Sequence, residues 1–384
     1  MIPLVFSSVA ALHAQTAAAR QDSSLQEQRQ AAITAEQQGR LSDAEAAWQA
    51  VAKAHPADAE PYARLGLIAA HQEHYKDAAA LYRKALTLDP KHPGLRLDLG
   101  LALFKDGQMK EAAVEFGKLV KATPPGSPQL ERYEILLAMA HYGAAEYAEA
   151  VPLLKKAAAD DPKNLPLRMT LAHSCLWSKQ YQCVLDVYHE ILTLNSESAE
   201  ADMLAGEAID GMHDRGGAIE QFRAAVKANP NEPNVHFGLG YLLWTQKHLE
   251  EAITEFQAEL ANDPKNIQSI LYLGDAYLQL GQPDKARPLL EQAVHQDSSL
   301  WRAQFDLGIL DSDAGQYEDA LRYLQQAAKQ QPDEVNIHMR LGRVYKSMGR
   351  TEEAKAEFAK ANNITHAVDE DLIRKMNPQQ KPAN

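Results

Sequence analysis

Proline recurs in this chain of 384 residues at intervals of 34. Pro56, Pro90 and Pro124 lie 34 residues apart, and glycine keeps the same interval further along the chain. The glycines that recur with this period are Gly66, Gly100, Gly206, Gly240, Gly274, Gly308 and Gly342. A fixed period of this length is typical of proteins built from stacked repeats. We therefore predict about ten copies of one unit between residues 25 and 366.

Each unit has the apolar spacing of two helices joined by a short turn, because apolar residues recur three, four and seven positions apart. When the unit is numbered so that its proline is position 32, positions 8 and 20 are small and position 24 is large. The large residues are Trp48, Tyr82, Phe116, Leu154, Tyr188, Phe222, Phe256, Leu290, Leu324 and Phe358. Small residues allow the paired helices to approach to about 8 Å between axes. The pattern predicts an all-α solenoid of antiparallel helix pairs, in which the large residue fills the space between successive pairs.

The pattern resembles the tetratricopeptide repeat, whose signature is W-x2-L-G-x2-Y, then A-x3-F, then P. The residues that match it in one unit are Tyr62, Leu65, Gly66, Ala78, Tyr82 and Pro90. The resemblance covers about nine-tenths of the chain. It implies a right-handed superhelix of helical hairpins, with the first helix of each pair lining a concave groove.

The resemblance also implies that positions 2, 5, 9 and 12 of each first helix face the groove. Candidate partner-binding residues at these positions are Phe104, Tyr142, Met169, Met203, Phe237, Tyr241, Trp244 and Phe305. An apolar stripe of aromatic and methionine side chains suits an extended or helical peptide. Packing inside each hairpin is the alternative explanation for position 5.

We therefore expect a non-enzymatic scaffold that binds a protein or peptide segment in the groove. The alternative is an accessory subunit of envelope polysaccharide assembly or export, in which groove aromatics stack on sugar rings. The net charge of −13 disfavours nucleic-acid binding, which requires clustered positive charge. A carboxylate-gripping groove is also disfavoured, because position 5 offers no Lys, Asn or Arg in the nine successive units from Ala63 to Met339.

Four basic residues near the end of the array are expected to lie close together: Arg302, Arg340, Arg343 and Lys346. Such a basic corner could hold an acidic segment or a phosphate. A solvated end of the solenoid is the competing interpretation, because exposed cations often contribute little.

The strongest candidate for acid–base chemistry is His173 with Glu207 and Asp210. His173 and Glu207 occupy position 9 of adjacent units, and Asp210 lies one helical turn after Glu207. No nucleophile or third ligand is fixed beside them, so polar groove lining is the favoured interpretation. His71 and His74 lack Asp, Glu or Cys partners at metal-ligand spacing. We expect no enzyme activity, no cofactor and no metal.

The two ends of the chain differ from the repeats. Residues 1–20 are interpreted as a signal peptide and flexible start, because Ile2 to Leu12 carry no charge and Ala14 suits a cleavage site, although no Lys or Arg precedes them. We therefore expect a bacterial protein of the exported or periplasmic type, with the cytoplasm as the alternative location. Residues 367–384 are expected to form a short capping helix and a disordered tail. No apolar run is long enough to span a membrane.

Three local features interrupt the repeat. Cys175 and Cys183 lie eight residues apart across one turn and are expected to be buried free thiols, with a disulfide possible if their Cα atoms come within about 7 Å. Four extra residues, about the length of 125–128, are expected to enlarge one connection. Gly216 and Gly217 stand where a second helix should begin, as a hinge or a tolerated helix start.

Overall fold

A computed structural model describes residues 25–92 and 94–376 of the chain. Within these residues the backbone forms twenty α-helices and no strand. Consecutive helices pair as hairpins, from α1–α2 to α19–α20. The all-α solenoid of about ten repeats is therefore confirmed. The predicted signal segment, residues 1–20, and the tail, residues 377–384, lie outside the described residues.

The chain divides into two compact units, Met1–Val187 and Tyr188–Asn384. The helices that begin before the boundary are α1 (25–37), α2 (Leu41–Ala54), α3 (Ala59–His71), α4 (Tyr75–Leu88), α5 (Leu95–Lys105), α6 (Met109–Ala122), α7 (Pro128–Gly143), α8 (Tyr147–Asp160), α9 (Leu165–Trp177) and α10 (Tyr181–Leu194). The helices after it are α11 (Ala199–Gly211), α12 (Arg215–Ala228), α13 (Val235–Thr245), α14 (Leu249–Asn262), α15 (Ile267–Gln279), α16 (Pro283–Gln296), α17 (Trp301–Asp313), α18 (Tyr317–Gln330), α19 (Val335–Ser347) and α20 (Thr351–Met376).

The turn inside every pair contains one residue with positive φ. Glycine occupies this place in five pairs, as its small size predicts: Gly39, Gly107, Gly281, Gly315 and Gly349. The other five pairs use a residue with a side chain: Glu73, Ala145, Lys179, His213 and Lys247. The left-handed turn is thus a feature of the repeat itself, and it forms even where the sequence lacks glycine.

The glycine at position 8 lies directly beneath the large residue at position 24 of the same pair. A Cβ atom added to Gly100 would lie 2.5 Å from Cε1 of Phe116, and one added to Gly308 would lie 2.6 Å from Cγ of Leu324. Phe222 is also tightly contacted by the next pair, because a Cβ on Gly238 would lie 2.2 Å from its Cε1. The large residue therefore packs within its own hairpin as well as between hairpins.

First helices of successive pairs also touch one another in the second unit, where α11 contacts α13, α13 contacts α15, and α15 contacts α17. These contacts set the first helices side by side along one face. Residues at matching positions of α11, α13, α15 and α17 therefore become neighbours, although they lie about 34 residues apart.

The four-residue insertion lengthens a helix more than it lengthens a loop, so the expectation of an enlarged connection is wrong. Helix α7 has 16 residues, whereas α9 has 13. Its first residue, Pro128, lacks an N–H that would need a partner and has a backbone angle suited to a helix start. The insertion therefore adds about one turn to the start of a first helix.

Two other interruptions also have local explanations. Gly217 lies in the first turn of α12, where its N–H donates to Asp214 at 2.9 Å, so the double glycine forms a capped helix start. Residues 367–376, where a short capping helix is expected, are helical and continue α20 without a break. No glycine or proline occurs between Thr351 and Met376 to end that helix.

The expectation of free thiols is also wrong, because Cys175 of α9 and Cys183 of α10 form a disulfide. Their Cα atoms are 5.8 Å apart, inside the distance that a disulfide requires. Both side chains are buried, as predicted. The turn between the two helices brings positions 11 and 19 face to face, which sequence spacing alone did not decide.

Gly308→Ala is expected to destabilise the second unit by about 1–3 kcal/mol, because its new methyl group would overlap buried Leu324. Gly216→Ala is the matched control. A Cβ at that position meets only Asp214 Oδ1, at 3.7 Å, so alanine should stabilise the helix by about 0.4–1 kcal/mol. Urea denaturation followed by circular dichroism measures both changes. Equal shifts of the same sign would contradict the packing argument.

Candidate partner-binding site

All eight predicted groove residues lie on first helices. Phe104 is on α5, Tyr142 on α7, Met169 on α9 and Met203 on α11. Phe237, Tyr241 and Trp244 follow one face of α13, and Phe305 is on α17. Seven are half-buried and Tyr241 is 37% exposed, so none is fully enclosed in the core.

Three of these residues meet at a cavity in the second unit. The cavity has a volume of about 460 Å³ and lies between α11 and α13. Met203 and Phe237 contribute from position 5 of successive units, and Tyr241 contributes from position 9. Phe222 and Leu242 complete most of the apolar lining, while Glu207 and Asp210 add carboxylates. Three residues at positions that the family resemblance assigns to the groove therefore line one cavity.

An aromatic cluster continues this surface toward α15. The ring of Tyr241 stacks on Trp244 at 5.9 Å between centroids, and Phe237 lies 6.2 Å from Tyr241. Tyr272 of α15 meets Tyr241 and Trp244 edge-on at 5.2 and 5.0 Å. Such edge-to-face contacts are favourable and hold the rings in fixed orientations. Tyr272 was missed by the sequence analysis because it occupies position 6, which was not assigned to the groove.

Glu259 of α14 fixes the start of α13, which carries these aromatic residues. Its carboxylate accepts from the backbone N–H groups of Asn234 at 3.0 Å and Phe237 at 3.1 Å. Asn234 has positive φ and its side chain makes no cap of its own, so Glu259 supplies the capping acceptor. Buried Glu259 occupies position 27 of its unit, which is apolar in the other nine units. A charged residue at this otherwise apolar position is the sequence signal that could have revealed its contact with α13.

Arg302 lies against the far end of the aromatic cluster. Its guanidinium carbon lies 4.9 Å from the ring centroid of Trp244 and 5.7 Å from that of Tyr272. Its Nε donates to Asp275 at 3.1 Å, and Asp275 also accepts from Trp244 Nε1 at 3.3 Å. This combination of two ring faces and a carboxylate holds the cation firmly in place.

The predicted basic corner is therefore not a set of four available cations. Arg302 pairs with Asp275, and Arg340 pairs with Asp313 while also donating to the carbonyl of Ile309 at 3.2 Å. Arg343 and Lys346 lie exposed on α19. Because two of the four charges are opposed by carboxylates of the same chain, the corner is a weaker anion site than its composition indicated.

Asp306 of α17 is a buried carboxyl beside the same ion pair. Its Oδ2 has no hydrogen-bond partner among the residues that the structure describes. Burial first, and then the negative charge of Asp275, raise the pKa of Asp306 well above its ordinary value, while Arg302 acts in the opposite direction. Asp306 therefore holds its proton more tightly in the folded protein than in the unfolded chain.

The first unit contains a separate aromatic group. Trp177 lies 4.8 Å from Tyr147 and 5.9 Å from Tyr142 between ring centroids, and 47% of Trp177 is exposed. His173 lies 5.0 Å from the same indole ring. Of the predicted groove residues, only Tyr142 belongs to this group.

The acid–base candidates have identifiable surroundings. Asp210 accepts from Arg215 Nε at 2.8 Å, Glu207 lines the α11–α13 cavity, and His173 packs beside Trp177. His71 ends α3 and His74 directly precedes α4. Across residues 25–92 and 94–376, no three His, Cys, Asp or Glu side chains are placed to hold a metal ion.

Two family models described as tetratricopeptide repeat match the chain. The first matches residues 69–139, 141–208 and 312–371, which is more than half of the chain. The second matches residues 29–93, 210–267 and 271–310. The chain belongs to the tetratricopeptide-repeat family. In the described part of this tetratricopeptide-repeat protein, no helix has both the length and the apolar character needed to cross a membrane.

Parts of two larger proteins are similar to this chain. It is 24% identical over 275 residues to the CTR9 homolog of Arabidopsis thaliana, covering 69% of the chain and 25% of that protein. It is 26% identical over 337 residues to the RNA polymerase-associated protein CTR9 of Caenorhabditis elegans, covering 81% of the chain and 29% of that protein. The chain thus spans less than a third of the length of either protein. One chain of the solved APC/C hetero-tetramer Cut9–Hcn1 aligns with 92% of this chain over 91% of its own length, with 12% identity and a TM-score of 0.44.

Replacing Asp306 by Asn in this tetratricopeptide-repeat protein should raise its stability most at high pH. Because the folded pKa of Asp306 is raised, the native state binds the proton more tightly than the unfolded state. Its stabilising contribution is present below the unfolded value of about 3.9 and is lost as pH rises through the folded pKa. Asp306→Asn removes that loss.

Urea midpoints measured across pH test this expectation. The control is Asp333→Asn, which changes an exposed carboxyl in the same unit. An Asp306→Asn difference that stays constant with pH, or that equals the control, would show that Asp306 does not titrate in this way.

Proposed function

We propose that this chain is a non-enzymatic scaffold that binds a segment of a partner protein along the first-helix face of residues 188–384. The observation that carries the proposal is the cavity between α11 and α13, lined by Met203, Phe237 and Tyr241. Its volume of about 460 Å³ lies within the range of about 300–1,000 Å³ of ligand pockets. It is large enough for side chains of a segment that itself stays on the surface.

Binding would combine a rigid aromatic wall with an adaptable one. Phe237 packs against Phe256 and Tyr272, with ring centroids 6.1 Å apart in both cases, so little side-chain freedom remains to be lost on binding. Met203 lies on the opposite helix and can adjust to partners of different shape. Shape and apolar contact are therefore the main contributions in this proposal.

The relatives support a role in protein assembly. The C. elegans relative is described as RNA polymerase-associated, and the similarity covers only 29% of that protein. The similarity spans 81% of this chain, and what we carry over from it is the capacity to bind a protein rather than a named partner. The ion pair of Asp210 with Arg215 gives that carboxylate a structural partner, which favours binding over acid–base chemistry.

We propose in addition that the protein is exported to an oxidising compartment such as the periplasm. The uncharged stretch from Ile2 to Leu12 and the Cys175–Cys183 disulfide support this location. Cell fractionation tests it, with the mass of the mature amino terminus as the second readout. Recovery of the full-length chain with free thiols in the cytoplasm would contradict export.

The double variant Tyr241→Ala/Trp244→Ala is expected to lose the partner proteins that crosslink to the wild-type chain in its native cells. Both rings lie at or beside the cavity, and the loss of two aromatic contacts typically weakens binding by more than about tenfold. Quantitative mass spectrometry of crosslinked, purified complexes measures the change. Circular dichroism establishes that the variant remains folded.

Trp177→Ala is the matched control, because it removes an exposed ring from the first unit. Partner recovery that is unchanged by Tyr241→Ala/Trp244→Ala but lost in Trp177→Ala would contradict the proposed site. The second candidate, an accessory of envelope polysaccharide assembly, is supported by that exposed ring. It predicts an oligosaccharide-induced change in tryptophan fluorescence that disappears in Trp177→Ala.

A further inference from the structure

We propose that the cavity between α11 and α13 receives a lysine or arginine side chain, so that the bound partner segment is basic. This inference rests on the proposed function and specifies the chemistry of its ligand. It follows from the charges, the aromatic rings and the neighbouring ion pairs of the cavity.

The charge of the cavity wall favours a cation. Glu207 and Asp210 lie three residues apart on α11, so they share one face of that helix, and both line the cavity. The described lining residues include no Lys, Arg or His. The whole chain has a net charge of −13, which adds to the attraction of a basic segment.

The opposite wall suits the remainder of a long cationic side chain. Phe237 and Tyr241 project from α13 with ring centroids 6.2 Å apart, and a cation within about 6 Å of such a ring is attracted to its face. Met203 and Leu242 supply apolar contacts for the methylene groups of Lys or Arg. An uncharged apolar side chain would use these contacts but gain nothing from the negative charges of Glu207 and Asp210.

The same unit already contains a cation held in this manner. Arg302 lies against the rings of Trp244 and Tyr272 and pairs with Asp275 at 3.1 Å. The site of Arg302 lies next to the cavity, because Trp244, which contacts Arg302, stacks on Tyr241, which lines the cavity. Aromatic faces with adjacent carboxylates thus occur twice along one surface, and beside Asp275 the chain itself supplies a guanidinium that lies against the rings.

Arg215 is a competitor for the incoming charge. It lies at the start of α12, and its Nε donates to Oδ1 of Asp210 at 2.8 Å. The Arg215 side chain is 44% exposed, so its removal should leave the fold intact. Removing this internal cation should therefore increase the affinity for a basic segment, which is the opposite of what a purely structural ion pair predicts.

Selection from a phage-displayed library of random dodecapeptides on the full chain provides the test. We expect the selected peptides to be enriched in Arg or Lys next to aromatic or aliphatic residues. Synthetic copies of the selected peptides should bind the chain more weakly in about 0.5 M NaCl than at low salt, because salt screens exposed charges. Replacing each Arg by citrulline keeps the shape, removes the charge, and should weaken binding.

Three single variants separate the cavity from general electrostatics. Glu207→Gln should weaken the binding of the basic peptides by about 2- to 5-fold, as expected for an exposed ion pair. Arg215→Gln should increase the affinity for the same peptides by about 2- to 5-fold. The control Glu250→Gln removes one negative charge from an exposed site on α14 and should change the affinity by less than about twofold.

The outcomes distinguish failure of this inference from failure of the proposed function. Neutral or acidic peptides that lose binding in Tyr241→Ala/Trp244→Ala would overturn the basic ligand and retain the peptide site. Equal effects of Glu207→Gln and Glu250→Gln would overturn the role of the cavity carboxylates. Selected peptides that bind the double variant as well as the wild type would contradict the site itself.

Discussion

The structure depends on the contact between a small residue of each first helix, which is glycine in seven of the ten pairs and alanine in the other three, and a large residue of its partner helix. The contact leaves no room for even one methyl group at Gly100 or Gly308, so the two helices of a pair meet at a fixed distance. Phe222 extends this arrangement by filling the space over Gly206 and against Gly238 of the next pair. In the second unit α11, α13, α15 and α17 lie side by side, so residues at matching positions of these first helices become neighbours.

Much of the fold follows from the sequence because the repeat specifies the same contacts many times. The positive φ of Glu73 or Lys247 shows that position within the repeat, rather than residue type, determines the turn. Features that occur once were harder to predict. The eight-residue spacing of Cys175 and Cys183 fits both free thiols and a disulfide. The four extra residues at about 125–128 predict a longer connection, although Pro128 starts a longer helix.

The candidate site was predictable where it uses the regular groove positions, and not where it depends on neighbouring repeats. Met203, Phe237 and Tyr241 occupy expected positions and do line one cavity. Tyr272 and Asp275 come from the next repeat, and the pairing of Asp275 with Arg302 reaches one repeat further. Arg302 was assigned to an anion site, but the structure uses its charge internally. Residues that depart from the repeat pattern, such as buried Glu259, therefore make the contacts that distinguish the α11–α15 region from the other repeats.

The central claim is that the first-helix face around Tyr241 contacts a partner protein. Site-specific photo-crosslinking in the native cells tests it most directly, with p-benzoylphenylalanine placed at position 241 and, in a separate variant, at the position of exposed Val114 on α6. The account predicts a discrete crosslinked protein adduct from position 241 and none from position 114. An adduct from position 114 alone, or none from position 241 in the folded protein, would contradict it.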